Sequence, residues 1–175
     1  MTLSLLLTGT AENIADKVTM IPELGWFIGL LGLALTTIFC GIGSSIGLKA
    51  SASAAAGVMS EDASMFSKVM ILVLLPATQG LYGFVIAIIG GKNIGTGMTL
   101  AEGWQVFAAC LPMMVAGFTS AIFQGKTSAT TIMAAGKKPE IAGKAMLFPA
   151  MIEFYALLGL VVSIILFNSL PVFGA

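Results

Sequence analysis

Four long uncharged stretches constrain this chain more than any other feature. They are Leu24–Leu48, Val69–Gly91, Gly103–Gly125 and Ala145–Asn168, the last interrupted only by Glu153. Each exceeds the about 20 apolar residues that a helix needs to cross a bilayer. Four such runs do not fit the small core of a soluble domain of this size. Composition agrees: 58% of the residues are hydrophobic, 9% are charged and the mean hydropathy is +1.03. Soluble domains carry about 25% charged residues. The sequence therefore predicts an all-α membrane protein with four transmembrane helices.

The polar residues exclude several function classes. Eight lysines balance eight acids, and the chain has no arginine and no histidine. A nucleic-acid partner needs a basic face, which a net charge of zero does not supply. Without arginine the usual bidentate phosphate clamp is missing, and without histidine so are the commonest general base and metal ligand. Cys40 and Cys110 fall inside apolar runs without CxxC spacing, as small packing residues do. Gly41-Ile-Gly-Ser-Ser-Ile-Gly47 lacks the ending of a phosphate loop and lies in a spanning segment.

The runs pair into two hairpins. The first covers residues 25–91, with helices expected over 25–48 and 69–91; the second covers 103–168, with helices expected over 103–125 and 145–168. Gly83-Phe-Val-Ile-Ala87 matches Gly159-Leu-Val-Val-Ser163 at an offset of 76, and Lys68 matches Lys144 at the same offset. The fold expected is thus a tandem duplication of one hairpin. Ala77 occupies the place equivalent to Glu153, so the first hairpin keeps the frame of the site without its acid. Residues 1–24 read as a polar or interfacial N-terminal extension, with a cleaved leader as the alternative. Six of the eight lysines lie in the connections 49–68 and 126–144, which places those loops in the cytoplasm and both termini outside. Gly25, Gly29, Gly32, Gly43, Gly47, Ala50, Ala54 and Gly57 form a small-residue stripe suited to close helix packing, here read as the inner wall of an oligomer.

Glu153 is the chemical anomaly. A carboxylate at membrane depth costs roughly 3 kcal/mol on insertion scales, so its default reading is a functional site, with a proton or cation route first. Pro76 interrupts the second run and should free the Leu72 carbonyl. Thr78 and Tyr82 follow on one helical face, with Gln79 beside them. Counted from Lys68 and Lys144, Gln79 and Glu153 both lie roughly 13–17 Å along their helices. Gln124 joins them if its helix continues past Lys126 through Thr127–Ala135, with the ammonium snorkelling to the interface. A hydroxyl, two amide oxygens, one carboxylate and a main-chain carbonyl make an all-oxygen set with one negative charge, which suits a monovalent hard cation. The alternative is that Thr78 back-bonds to its own helix and the glutamines lace helices together.

At these residues the sequence resembles the proteolipid rotor-ring subunit (the K or c subunit) of V-type and V/A-type rotary ATPases, in their sodium-pumping bacterial branch. The resemblance runs from about Gly25 to Leu170 and is carried by Leu75-Pro-Ala-Thr-Gln-Gly-Leu-Tyr-Gly-Phe84, Gln124-Gly-Lys126, Lys137-Lys-Pro-Glu140 and Met151-Ile-Glu-Phe-Tyr155. It implies that Glu153 is the ion-carrying carboxylate, and that Thr78, Gln79, Gln124 and the Leu75 carbonyl complete a Na+ site. Tyr82 then donates a hydrogen bond that keeps Glu153 locked. It also implies identical copies closed into a ring within the lipid bilayer, a stator subunit with a membrane arginine, and a central-stalk subunit on the cytoplasmic face. Hydrolysis of ATP belongs to another part of such a complex, so this chain is not an enzyme on its own. A bacterial plasma membrane is the expected location, by analogy. The family pattern often has Gly where this chain has Ala77, and it does not explain the N-terminal extension.

Two other functions use the same residues. The same rotor could carry H+, with the ligand set reduced to packing. A small four-helix proton-coupled drug transporter also needs one membrane glutamate, but places it in an early helix and lacks the tandem repeat. A purely structural membrane protein would be indifferent to loss of Glu153.

Overall fold

A computed structural model describes residues 23–92 and 94–170. The expected extension therefore lies outside the described residues except for Glu23 and Leu24. The helices are α1 (Leu24–Glu61), α2 (Phe66–Leu74), α3 (Thr78–Gly91), α4 (Leu100–Lys137), α5 (Ala142–Ala145) and α6 (Leu147–Ser169). Short 3-10 turns at Ala63–Met65, Leu75–Ala77 and Pro139–Ile141 link them. Four helical spans result: Leu24–Glu61, Ala63–Gly91, Leu100–Lys137 and Pro139–Ser169.

The helices outrun the apolar stretches. Those expected to end at residues 48 and 125 continue to Glu61 and Lys137, and the connections 49–68 and 126–144 are mostly helix. A charge ends an apolar run but does not end a helix: after Lys49 comes Ala-Ser-Ala-Ser-Ala-Ala-Ala56, rich in the strongest helix former. α1 stops where Asp62 turns extended and its side chain accepts the Ser64 N–H, 2.9 Å away. α4 opens on a capping box, with Thr99 receiving the Glu102 N–H and Glu102 receiving the Thr99 N–H. It passes Lys126, whose ammonium sits 5.8 Å from the centre of the Phe123 ring.

α1 and α4 pack against each other along their length, α3 lies on α1, and α6 lies on α4. The α1–α4 crossing explains the small-residue stripe. A Cβ on Gly47 would strike the Ala121 carbonyl, and one on Gly125 would strike the Gly47 backbone. The stripe from Gly25 to Gly47 is thus used inside the chain, while Gly57 is exposed with nothing within 4 Å of a Cβ. Two apolar clusters fill the bundle. One holds Leu33, Cys40, Ile86, Val106, Cys110, Met113 and Phe167; the other holds Ala55, Met65, Val69, Leu72, Ile132 and Ala135. Along the span Ala63–Gly91 and along α4, the polar residues Gln79 and Gln124 fall between these clusters. Outward faces stay apolar, with Leu81, Phe84, Phe154, Leu158 and Ile165 exposed. Such a surface suits hydrocarbon or another copy of the chain.

Candidate functional site

Pro76 has no N–H to donate, and the backbone answers by tightening rather than by opening a wide kink. Residues Leu75–Ala77 form a 3-10 turn, and the Thr78 N–H bonds the Leu75 carbonyl. Loss of the proline N–H alone points to the Leu72 carbonyl. The carbonyl that meets the polar cluster is instead Leu75, which accepts from the Thr78 hydroxyl at 2.9 Å. The 3-10 register brings the Thr78 N–H to the Leu75 carbonyl in place of the Leu74 carbonyl that an α-helix would use, and the Thr78 hydroxyl reaches the same oxygen.

Glu153 sits at the centre. Its Oε1 receives the Thr78 hydroxyl at 2.7 Å and the Tyr82 hydroxyl at 2.8 Å. Its Oε2 receives the amide nitrogens of Gln124 at 2.7 Å and Gln79 at 3.1 Å. Thr78 and Tyr82 reach one oxygen because residues four apart on a helix share a face. Gln79 and Gln124 are fully buried, and the Gln79 nitrogen also donates to the Gln124 Oε1 at 2.6 Å. All six residues singled out from the sequence are therefore in one network, through α2's end, α3, α4 and α6.

One further partner has no counterpart in the sequence reading. The Gln124 nitrogen also donates to the Pro149 carbonyl at 3.1 Å. Pro149 lies one turn before Glu153, and that spacing is the signal that could have found it.

The charge balance defines what the site can do. All four donors to Glu153 are neutral, so an ionised carboxylate keeps its full negative charge at membrane depth, and that state is costly. A cation can neutralise it. The Gln79 Oε1 is buried and, among the described residues, has no hydrogen-bond partner, so one strong acceptor of the cluster is left unsatisfied. Rotation of the Gln79 and Gln124 amides exchanges nitrogen for oxygen and directs two carbonyl oxygens at Glu153. With the Thr78 hydroxyl and Leu75 carbonyl, the donor set then fits a small monovalent cation. Alternatively, a proton fits. The single Thr78 hydrogen faces two acceptors, Leu75 and Glu153; a proton on Glu153 satisfies the second contact by donating to Thr78. Beside the carboxylate a cavity of about 240 Å³ is lined by Leu75, Ala150, Glu153, Phe154 and Leu157.

Known proteins give the family. The model for the ATP synthase C subunit matches twice, at residues 31–90 and 107–166, in agreement with the duplicated hairpins. The K subunit of the V-type sodium ATPase of Enterococcus hirae is 44% identical over 142 residues, covering 81% of this chain and 91% of that protein. The K subunit of the A-type ATP synthase of Methanocaldococcus jannaschii is 37% identical over 139 residues, covering 79% of this chain and 61% of that protein. At 23% identity over 145 residues, the 16 kDa proteolipid of the V-type proton ATPase of Rattus norvegicus is more distant, with 83% and 94% covered. With two copies of the family's hairpin in tandem, this chain belongs to the ATP synthase C-subunit family.

Proposed function

We propose that this chain is the ion-carrying rotor-ring subunit of a V-type ATPase and moves Na+ across the membrane by reversible binding at Glu153. The observation that carries the reading is the convergence of four neutral donors on the Glu153 carboxylate, one of them from Gln79, whose amide oxygen is buried without a partner among the described residues. The sodium ATPase subunit among the relatives supports the choice of ion. Ligands are the Glu153 carboxylate, the Gln79 and Gln124 amide oxygens, the Thr78 hydroxyl and the Leu75 carbonyl. Tyr82 holds Glu153 in place.

The electrostatics give the cycle. With Na+ bound, Glu153 is neutralised, and its helix can face lipid at little cost. When ring rotation brings it to a stator arginine, that cation stabilises the bare carboxylate and the ion leaves. Identical copies form the ring, and a central stalk docks on the ends marked by Asp62 and Lys138, which face the cytoplasm of a bacterial cell. Nucleotide hydrolysis or synthesis takes place in another part of the complex, so this chain transmits rotation and is not catalytic by itself.

Carbodiimide labelling of detergent-solubilised rings tests the choice between ions. The reagent attacks the protonated acid, so Na+ and reagent compete. Sodium, and not potassium, should protect Glu153. Its labelling midpoint should move to lower pH by about one unit per tenfold sodium once sodium exceeds its dissociation constant, as competition for one site requires. Labelling that follows pH alone makes the ion H+, the reading that the Thr78 hydrogen count favours.

Tyr82→Phe separates locking from ligation. It removes one hydrogen bond to Glu153 and no ligand, worth about 1 kcal/mol. The sodium needed for half-protection should rise about fivefold, with selectivity over potassium unchanged. A loss of selectivity would make Tyr82 a ligand.

A further inference from the structure

The break at Pro76 leaves two helix ends inside the bundle. Ala77, at the N-cap of α3, offers no side-chain acceptor to the first N–H groups of that helix. The Leu75 N–H serves the Ile71 carbonyl, but Pro76 has no N–H for the Leu72 or Val73 carbonyl that its position would otherwise serve. Two hydroxyls of α1, seven residues apart and so on one face, meet these needs. The Gly80 N–H donates to the Ser44 Oγ at 2.8 Å. The Ser51 hydroxyl, fully buried, lies 3.1 Å from the Val73 carbonyl, with its own helix's Gly47 and Leu48 carbonyls at 3.2 and 3.1 Å. Ser44 thus acts as an N-cap supplied from another helix, and Ser51, whose single hydrogen is shared among three carbonyls, is the donor within reach of the end of α2. Between these two fixed points lie Leu75, Thr78 and Gln79.

The second hairpin solves the same problem differently. At the offset that pairs Lys49 with Lys126, Ser44 corresponds to Ala121 and Ser51 to Ser128, whose buried hydroxyl has no partner among the described residues. At the offset of 76 that pairs Lys68 with Lys144 on the other helix of each hairpin, the carbonyl equivalent to Val73 is Pro149, and it is taken by Gln124 of the ion site. The α1 hydroxyls therefore serve the half of the site that carries Leu75, Thr78 and Gln79.

We infer that Ser44 and Ser51 are positioning residues of the ion site, holding the 3-10 turn of Leu75–Ala77 so that the Leu75 carbonyl, Thr78 and Gln79 converge on Glu153. The inference rests on the sodium reading for its ion but not for its geometry.

Rings carrying Ser44→Ala, Ser51→Ala or both are labelled with a carbodiimide across sodium concentration and pH. The double variant should assemble and need about tenfold more sodium for half-protection. Each single variant should shift by a smaller factor, and Ser44→Thr, which keeps the oxygen, should stay near wild type. Ser45→Ala removes an exposed hydroxyl that bonds its own helix's Gly41 carbonyl and serves as the control. If the double variant does not assemble, the single variants decide. Single variants that assemble with wild-type protection overturn the inference. If wild-type rings show no sodium protection, the sodium reading fails separately, and the serines are judged by the pH midpoint of labelling: a shift in S44A and S51A but not S45A supports them, and no shift overturns them.

Discussion

Glu153→Gln is expected to give rings that assemble and carry no ion. Glutamine matches glutamate in size and removes only the ionisable oxygen, so the packing of α6 against α4 is retained. Its amide nitrogen must face two of the four donors that now converge on the carboxylate. Rotation of the Gln79 or Gln124 amide converts a donor to an acceptor and removes the conflict. Stability should not fall, because an acid at membrane depth costs roughly 3 kcal/mol on insertion scales. Function should be lost altogether. Without a negative charge nothing offsets the dehydration of a cation, and no proton can be exchanged. Sodium uptake into vesicles holding the reconstituted complex should drop to background, and carbodiimide labelling should vanish. Sodium-dependent uptake surviving in Glu153→Gln would move the ion site elsewhere.

That prediction rests on a residue visible in the sequence, and the reason is energetic. Glu153 stands out because its cost in hydrocarbon has no structural purpose. Thr78, Gln79 and Tyr82 are legible because helical spacing is regular, and depth counted from the flanking lysines puts them level with Glu153. Gln124 is legible only by allowing α4 to run past Lys126, which it does. What stays hidden depends on contacts between helices. A proline states that a hydrogen bond is lost but not whether the chain kinks or tightens, so the sequence points to Leu72 where Leu75 meets Thr78. Ser44 and Ser51 look like ordinary small residues, since a serine that caps another helix carries no mark in its own neighbourhood. The helix ends lie beyond those expected because the apolar runs report the bilayer, whereas Ala-rich sequence carries the helices past it. The stripe of glycines is a close-packing face, as its spacing indicates, but its partner is α4 of the same chain.

That crossing is where the largest structural effect is expected. Gly125→Val places branched carbon against the backbone of Gly47, and backbone cannot rotate aside as a side chain does. Overpacking of cores typically costs about 1–3 kcal/mol; here, with main chain on the far side, about 3 kcal/mol or more is expected. Gly57→Ala, on an exposed part of α1 with none of the described residues within 4 Å of the new Cβ, is the control. It should be neutral or stabilising by roughly 0.5–1 kcal/mol from helix propensity. Thermal unfolding in detergent should separate the two variants clearly, and a Gly125→Val protein as stable as wild type would mean the α1–α4 crossing is not as close as described. The milder Gly47→Ala links this packing to the site. Its new methyl group meets the Ala121 carbonyl and the Pro76 ring, 2.8 Å from the latter. One contact pushes on α4 within one turn of Gln124, and the other pushes on the turn that presents Leu75. Protein that still folds should therefore bind sodium more weakly in the labelling assay, with Glu153 and its ligands chemically unaltered. Weaker binding there would make the spacing of two helices at a glycine pair a determinant of the proposed ion site, since Gly47 touches both α4 and the turn that carries Leu75.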